Sequence, residues 1–118
     1  MQYAILIYAD EAAGARLSPE EQTKMSAPYA AYTKAMVEAG ILRGGERLKT
    51  TSTASTVRVR DGKTEVLDGP YPDTKEQFAG FYLIDVPDLD AALSWAAKCP
   101  GAAIGTLEVR PVWMMSEM

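Results

Sequence analysis

The sequence predicts an α+β fold in which an antiparallel sheet carries its helices on one face. Three observations support this. The runs Tyr3-Ala4-Ile5-Leu6-Ile7-Tyr8 and Phe81-Tyr82-Leu83-Ile84 are short, apolar and rich in aromatic and β-branched residues, as strands are. Two longer stretches, one opening at Ser18 and one at Asp88, begin on helix-capping residues and repeat apolar residues at helical spacing. Asp61-Gly62 separates two alternating segments, the mark of a hairpin with a two-residue turn. The order is β-α-β-β-β-β-α-β. With the central hairpin set aside as an insertion it becomes βαββαβ, the ferredoxin-like pattern.

Residues 2–9 form the first strand, and Ala9-Asp10-Glu11-Ala12-Ala13-Gly14 reads as loop. Ser18 is the N-cap of the next helix, Pro19 its first residue and Glu21 the partner in a capping box. This helix runs to about Ala39, and Gly40 ends it in the left-handed conformation. Met25, Tyr29, Tyr32, Met36 and Val37 form its apolar stripe. Pro28 clashes with the carbonyl of Lys24, so a kink or two consecutive helices are expected. Ile41 to Lys49 is a short, weak strand region. In the hairpin, Arg60 faces Lys63, Val59 faces Thr64, Arg58 faces Glu65 and Val57 faces Val66. The valines share one face and the charges the other. After the strand at 79–86, Asp88 caps a helix from Leu89 to about Lys98, with Leu89, Ala92, Leu93 and Ala96 as its buried stripe. The last strand runs from Gly105 to about Trp113.

A chain of 118 residues is expected to form one domain, and at this length a core without disulfides or metals is feasible. The net charge of −4 argues against nucleic acid and anionic membrane as partners. The single cysteine, Cys99, excludes an internal disulfide, and the absence of histidine excludes imidazole chemistry and imidazole metal ligands. No spacing supports a metal site, and no cofactor is implied. The apolar run at the N-terminus has no basic flank and is too short for a signal core or a membrane span, so a cytoplasmic location is expected.

Strand faces carry a further expectation. Tyr3, Ile5 and Ile7 alternate with Ala4, Leu6 and Tyr8, and Phe81 and Leu83 alternate with Tyr82, Ile84 and Val86. Both sides are apolar, whereas a sheet with one wet face alternates apolar with polar. Two helices cover only one face. A second copy, packed sheet to sheet in a barrel-like homodimer, is the economical cover for the other. If Leu107 and Val109 face the helices, Glu108 and Arg110 face that second side.

Asp68-Gly69-Pro70-Tyr71, Lys75-Glu76, Gly80-Phe81-Tyr82, Ala91-Ala92-Leu93-Ser94-Trp95-Ala96, Cys99-Pro100 and Glu108-Val109-Arg110-Pro111-Val112 together resemble the YCII-related proteins of the DGPF type, with Tyr71 where Phe is usual. The resemblance covers nearly the whole chain. It implies a single YCII-related domain over 1–118 and a dimeric α/β barrel on the ferredoxin-like fold. The family is largely uncharacterised, and the position of some members near sigma-factor genes hints at regulation. Some relatives are suggested to use a histidine–aspartate pair, and a few related barrels dehalogenate or isomerise lactones. Without histidine that pair does not carry over.

The candidate ligand-binding residues are Tyr8, Tyr29, Asp68, Glu76, Tyr82, Glu108 and Arg110. Asp68 is also the candidate general acid or base, set against a simpler role in its turn. Glu76 and Arg110 are expected to pair structurally, and Cys99 to be buried and inert. The expected function is binding of a small polar or anionic metabolite in a pocket of the dimer. The alternatives are a lyase- or isomerase-like enzyme using Asp68 or a tyrosine, and a purely structural dimer.

Overall fold

In the computed structural model, which describes residues 1–117, the elements are β1 (Gln2–Ala9), α1 (Glu11–Ala15), α2 (Pro19–Glu38), β2 (Leu42–Arg47), β3 (Ser55–Arg60), β4 (Lys63–Asp68), β5 (Gln77–Asp85), α3 (Leu89–Ala97), α4 (Gly101–Ile104) and β6 (Thr106–Pro111). Met118, the last residue of the expected domain, lies outside the described residues. Four strands form an antiparallel sheet in the order β2-β5-β1-β6, and β3 and β4 form a separate sheet of two. Without that hairpin the order is βαββαβ with the first strand in the middle, which is the ferredoxin-like arrangement. No helix among the described residues is long and apolar enough to cross a membrane.

The helix starts follow the capping residues. Ser18 Oγ accepts the Glu21 N–H at 3.2 Å, and the Glu21 carboxylate accepts the Ser18 N–H at 3.2 Å, closing the capping box. Asp88 accepts the Ala91 N–H at 2.9 Å to start α3. Gly40, at φ +72°, ends α2 where a side chain would be strained. The hairpin has the expected register throughout, and its turn residues Asp61 and Gly62 have φ of +52° and +75°.

Three expectations are corrected. The segment after β1 is not loop: Asp10 accepts the N–H groups of Ala12 and Ala13 and starts the single-turn helix α1. Nor does α2 divide in two, since Pro28 lies inside one helix of 20 residues. The proline leaves the Lys24 carbonyl without its usual donor, but both residues are exposed, where water can serve it. The third correction concerns the stripes: Val37, Leu89 and Leu93 are exposed, and the buried residues of α2 and α3 are Tyr32, Met36, Ala92 and Ala96.

The core lies between the sheet and the helices. Tyr3, Ile5 and Ile7 from β1, and Ile84 with the adjoining Val86 from the β5 side, meet Tyr32 and Met36 from α2, Ala92 and Ala96 from α3, and Cys99. Met36, Ile5 and Ile84 have no exposed surface. Truncating such a residue to alanine costs about 2–5 kcal/mol.

Candidate functional site

Besides Tyr3, the tyrosines Tyr29, Tyr32 and Tyr82 pack within the helix-covered side. Tyr82 and Thr33 share a hydroxyl–hydroxyl hydrogen bond of 3.0 Å, and the Tyr82 ring meets Tyr32 edge-on at 5.5 Å. Tyr32 donates to the Trp95 carbonyl at 2.8 Å. Burial, with Cys99 beside it, pushes Tyr29 up to about 12. Burial likewise raises Tyr32. The Cys99 thiol is raised by burial, against the lowering effect of hydrogen bonds from the Gly101 and Ala102 backbone and from Tyr29. These groups stay protonated at neutral pH and hold the core together. The candidates Tyr29 and Tyr82 therefore lie across the sheet from Glu108 and Arg110.

The other face of the sheet is uncovered. The register sets Leu6 beside Phe81 and Glu108, and Ala4 beside Leu83 and Arg110. Leu6, Phe81 and Leu83 are half-buried there, while Glu108 and Arg110 are exposed. Arg110 forms no ion pair among the described residues, so the expected pairing with Glu76 or Glu108 is not made. Glu76 instead accepts the Thr106 hydroxyl at 2.7 Å, on the strand edge opposite Tyr8. Asp68 ends β4, exposed, and its carboxylate has no hydrogen-bond partner among the described residues. The turn there is held by the backbone, with the Gly69 N–H donating to the Ala54 carbonyl at 2.8 Å.

At one end of this open face lies a groove of about 550 Å³. Its floor is the ring pair Tyr8 and Phe78, with centroids 5.5 Å apart. One wall is the connection between β2 and β3, from Leu48 to Ala54. The other contains Pro70, Pro72 and Thr74, from the segment that carries the family resemblance. The helix α1 ties the walls together. The Glu11 carboxylate accepts the Thr51 N–H at 2.8 Å and the Thr51 hydroxyl at 2.7 Å. The Glu11 N–H donates to Gln77 Oε1 at 3.0 Å, and Gln77 Nε2 donates to the Thr74 carbonyl at 2.7 Å. The hydroxyls of Thr51, Thr53 and Thr74 are committed as donors within the protein. The Thr50 hydroxyl pairs with that of Ser52, whereas the Lys49 ammonium has no ion pair and the Tyr8 phenol no hydrogen bond among the described residues. The arrangement suits a ligand with a flat or apolar body on the rings and an anionic or acceptor group at Lys49.

Of the candidates, the structure brings Tyr8, Glu76, Glu108 and Arg110 to the open side, with Tyr8 alone lining the groove. Sequence reasoning missed Lys49, Phe78 and the Glu11 clamp. Phe78 was hidden by a bulge: Ile7 pairs with Gly80 but Tyr8 with Phe78, so Ala79 is skipped. Ala79 then packs on the core and Phe78 turns to Tyr8.

The YCII-related domain matches residues 1–116 of the chain. An uncharacterised protein of Rhizobium meliloti (strain 1021) is 43% identical over 114 residues, which cover 95% of this chain and 92% of that protein.

Proposed function

The chain belongs to the YCII-related family, and from that premise we propose that it binds a small anionic or polar metabolite in the Tyr8–Phe78 groove, as a cytoplasmic homodimer packed open face to open face. The observation that carries the binding reading is the pair of unclaimed donors, Lys49 and Tyr8, over an aromatic floor. The dimer rests on the half-buried apolar residues of the open face, which two helices on the opposite side leave uncovered. Glu108 and Arg110, without an ion pair among the described residues, would pair across such an interface. The free, buried Cys99 fits a reducing compartment.

Binding is preferred to lyase or isomerase chemistry by Asp68 because no carboxylate among the described residues lines the groove, and Asp68 lies outside it. A general base has to reach the proton it removes within about 3 Å. A regulatory role is the corresponding use of a binding site without turnover.

The test is a thermal-shift screen with short-chain mono- and dicarboxylates and inorganic phosphate. A saturable rise in Tm is expected for at least one acid, lost in Lys49→Met and weakened in Tyr8→Phe. Loss of one charge-assisted contact corresponds to a drop in affinity of about tenfold or more. No shift with any compound of the panel, and none altered by Lys49→Met, would overturn the binding reading.

A further inference from the structure

The β3–β4 hairpin leaves an apolar face in water. Its valine face carries Val57, Val59 and Val66, exposed by 60%, 59% and 62%. On the opposite face two residues meet their own chain, while Arg60, Lys63, Glu65 and Leu67 are exposed: the Arg58 guanidinium lies 6.0 Å from the centre of the Tyr71 ring, and the Thr56 hydroxyl donates to the Gly69 carbonyl at 2.8 Å. Arg58 Nε is buried there without a hydrogen-bond partner among the described residues. A hairpin folded for solvent turns its valines in and its arginine out.

The hairpin is also an arm. Among the described residues its strands pair with each other and with no strand of the main sheet. The molecule measures 47 × 46 × 19 Å, with a radius of gyration of 16.4 Å. A closely packed chain of this length has a radius of gyration of about 13.5 Å. A lone two-stranded hairpin is at best marginally stable in water, so the arm needs a body to lie against.

We propose that the valine face of this arm docks on a second copy of the chain, clasping the homodimer that the preceding section proposes and on which this inference rests. Area argues for a second copy. Four strands about 4.8 Å apart, each about six residues long, give the open sheet face a flat area of about 400 Å². That is about half of the ~800 Å² each partner contributes to a standard stable interface. The arm adds about 200 Å² by the same measure. Each chain of a two-fold contact brings both an arm and a sheet face, so each contributes about 600 Å², or about 1,200 Å² in total, the lower end of the range for stable interfaces. The arm begins just after Ala54 and ends just before Pro70, both of which line the groove. Docking the arm therefore fixes both groove walls, so the dimer and the binding site are coupled.

The experiment is sedimentation equilibrium on the full chain and four variants. Wild type is expected to be a dimer at micromolar concentration. Val57→Lys/Val66→Lys and Val59→Lys should raise the dimer dissociation constant about tenfold or more. The β-branched Val57→Thr/Val66→Thr should raise it less, and Lys63→Gln, on the opposite face, should leave it unchanged. Far-UV circular dichroism monitors folding, and if a lysine variant unfolds, the threonine variant decides. A dimer of wild-type strength in the valine variants overturns the arm's role while leaving the sheet-to-sheet dimer standing. A monomeric wild type overturns both, and leaves the binding reading to its own thermal-shift test.

Discussion

Tyr29 gives the molecule a pH signature that a single substitution can isolate. Its phenol is pushed from an ordinary value of 10.0 up to about 12, first by burial and then by the neighbouring Cys99. The folded state thus holds a proton that the unfolded chain releases near pH 10. Stability from this group is complete below pH 10 and is lost as pH rises through about 12. Tyr32 acts in the same direction. Urea unfolding at pH 8 and pH 11 should show the wild type losing more stability than Tyr29→Phe; equal losses would show that Tyr29 takes no part. At this scale the sequence was informative about residue type and poor about side. Tyr29 and Tyr82 had the helical and strand spacing of core tyrosines, and they are in the core face. Asp68 stood out by its turn motif, but that turn is held by the Gly69 N–H on the Ala54 carbonyl and the Thr56 hydroxyl on the Gly69 carbonyl, so the motif says nothing of its carboxylate. Lys49 carried no signal, because a lysine in a connecting segment looks the same whether it faces solvent or a groove.

Elements with local causes were legible. The capping box of α2, the Asp88 cap of α3 and the turn of the hairpin each follow from residues within a few positions of one another. What depended on distant partners was not. The helix α1 has five residues and no buried side chain, so it has no apolar stripe to betray it. Its role comes from Glu11 meeting Thr51 some 40 positions away. The bulge at Ile7 and Tyr8 was equally hidden, since a count of alternating residues assumes an unbroken ladder. The Glu11 clamp makes a prediction of its own. Glu11→Ala removes the acceptor for both the Thr51 N–H and its hydroxyl, in a half-buried place, at a cost of about 1–2 kcal/mol. Hydrogen exchange should quicken at the backbone amides of residues 48–54, while the amides of β1 and β5 keep their protection. Unchanged exchange over 48–54 would mean that the wall stands without the clamp.

The whole molecule is a two-layer slab, 19 Å at its thinnest, whose apolar groups do not all fit inside it. One layer boundary holds the core. The outer face of the sheet carries Leu6, Phe81 and Leu83, and the arm carries its valines outward. The alternation of apolar residues on both sides of β1 and β5 made the uncovered face legible in the sequence. The exposure of the arm's valines was not, because the hairpin's own register fixes which residues share a face and leaves open which face its body covers. If both surfaces are closed by a second copy, folding and association form one equilibrium, and thermal stability depends on protein concentration. Each tenfold rise in concentration adds about 1.4 kcal/mol to a dimer's unfolding free energy. Two chains of this size have an unfolding entropy of about 0.5 kcal/mol per kelvin, so Tm should climb by about 3 °C per tenfold. Differential scanning calorimetry over two decades of concentration measures this directly. The valine-to-lysine arm variants should show the same slope at a lower Tm wherever they remain dimeric, and a flat profile once dissociated. A wild-type Tm independent of concentration would mean that the slab is stable alone, with its apolar face and arm bare.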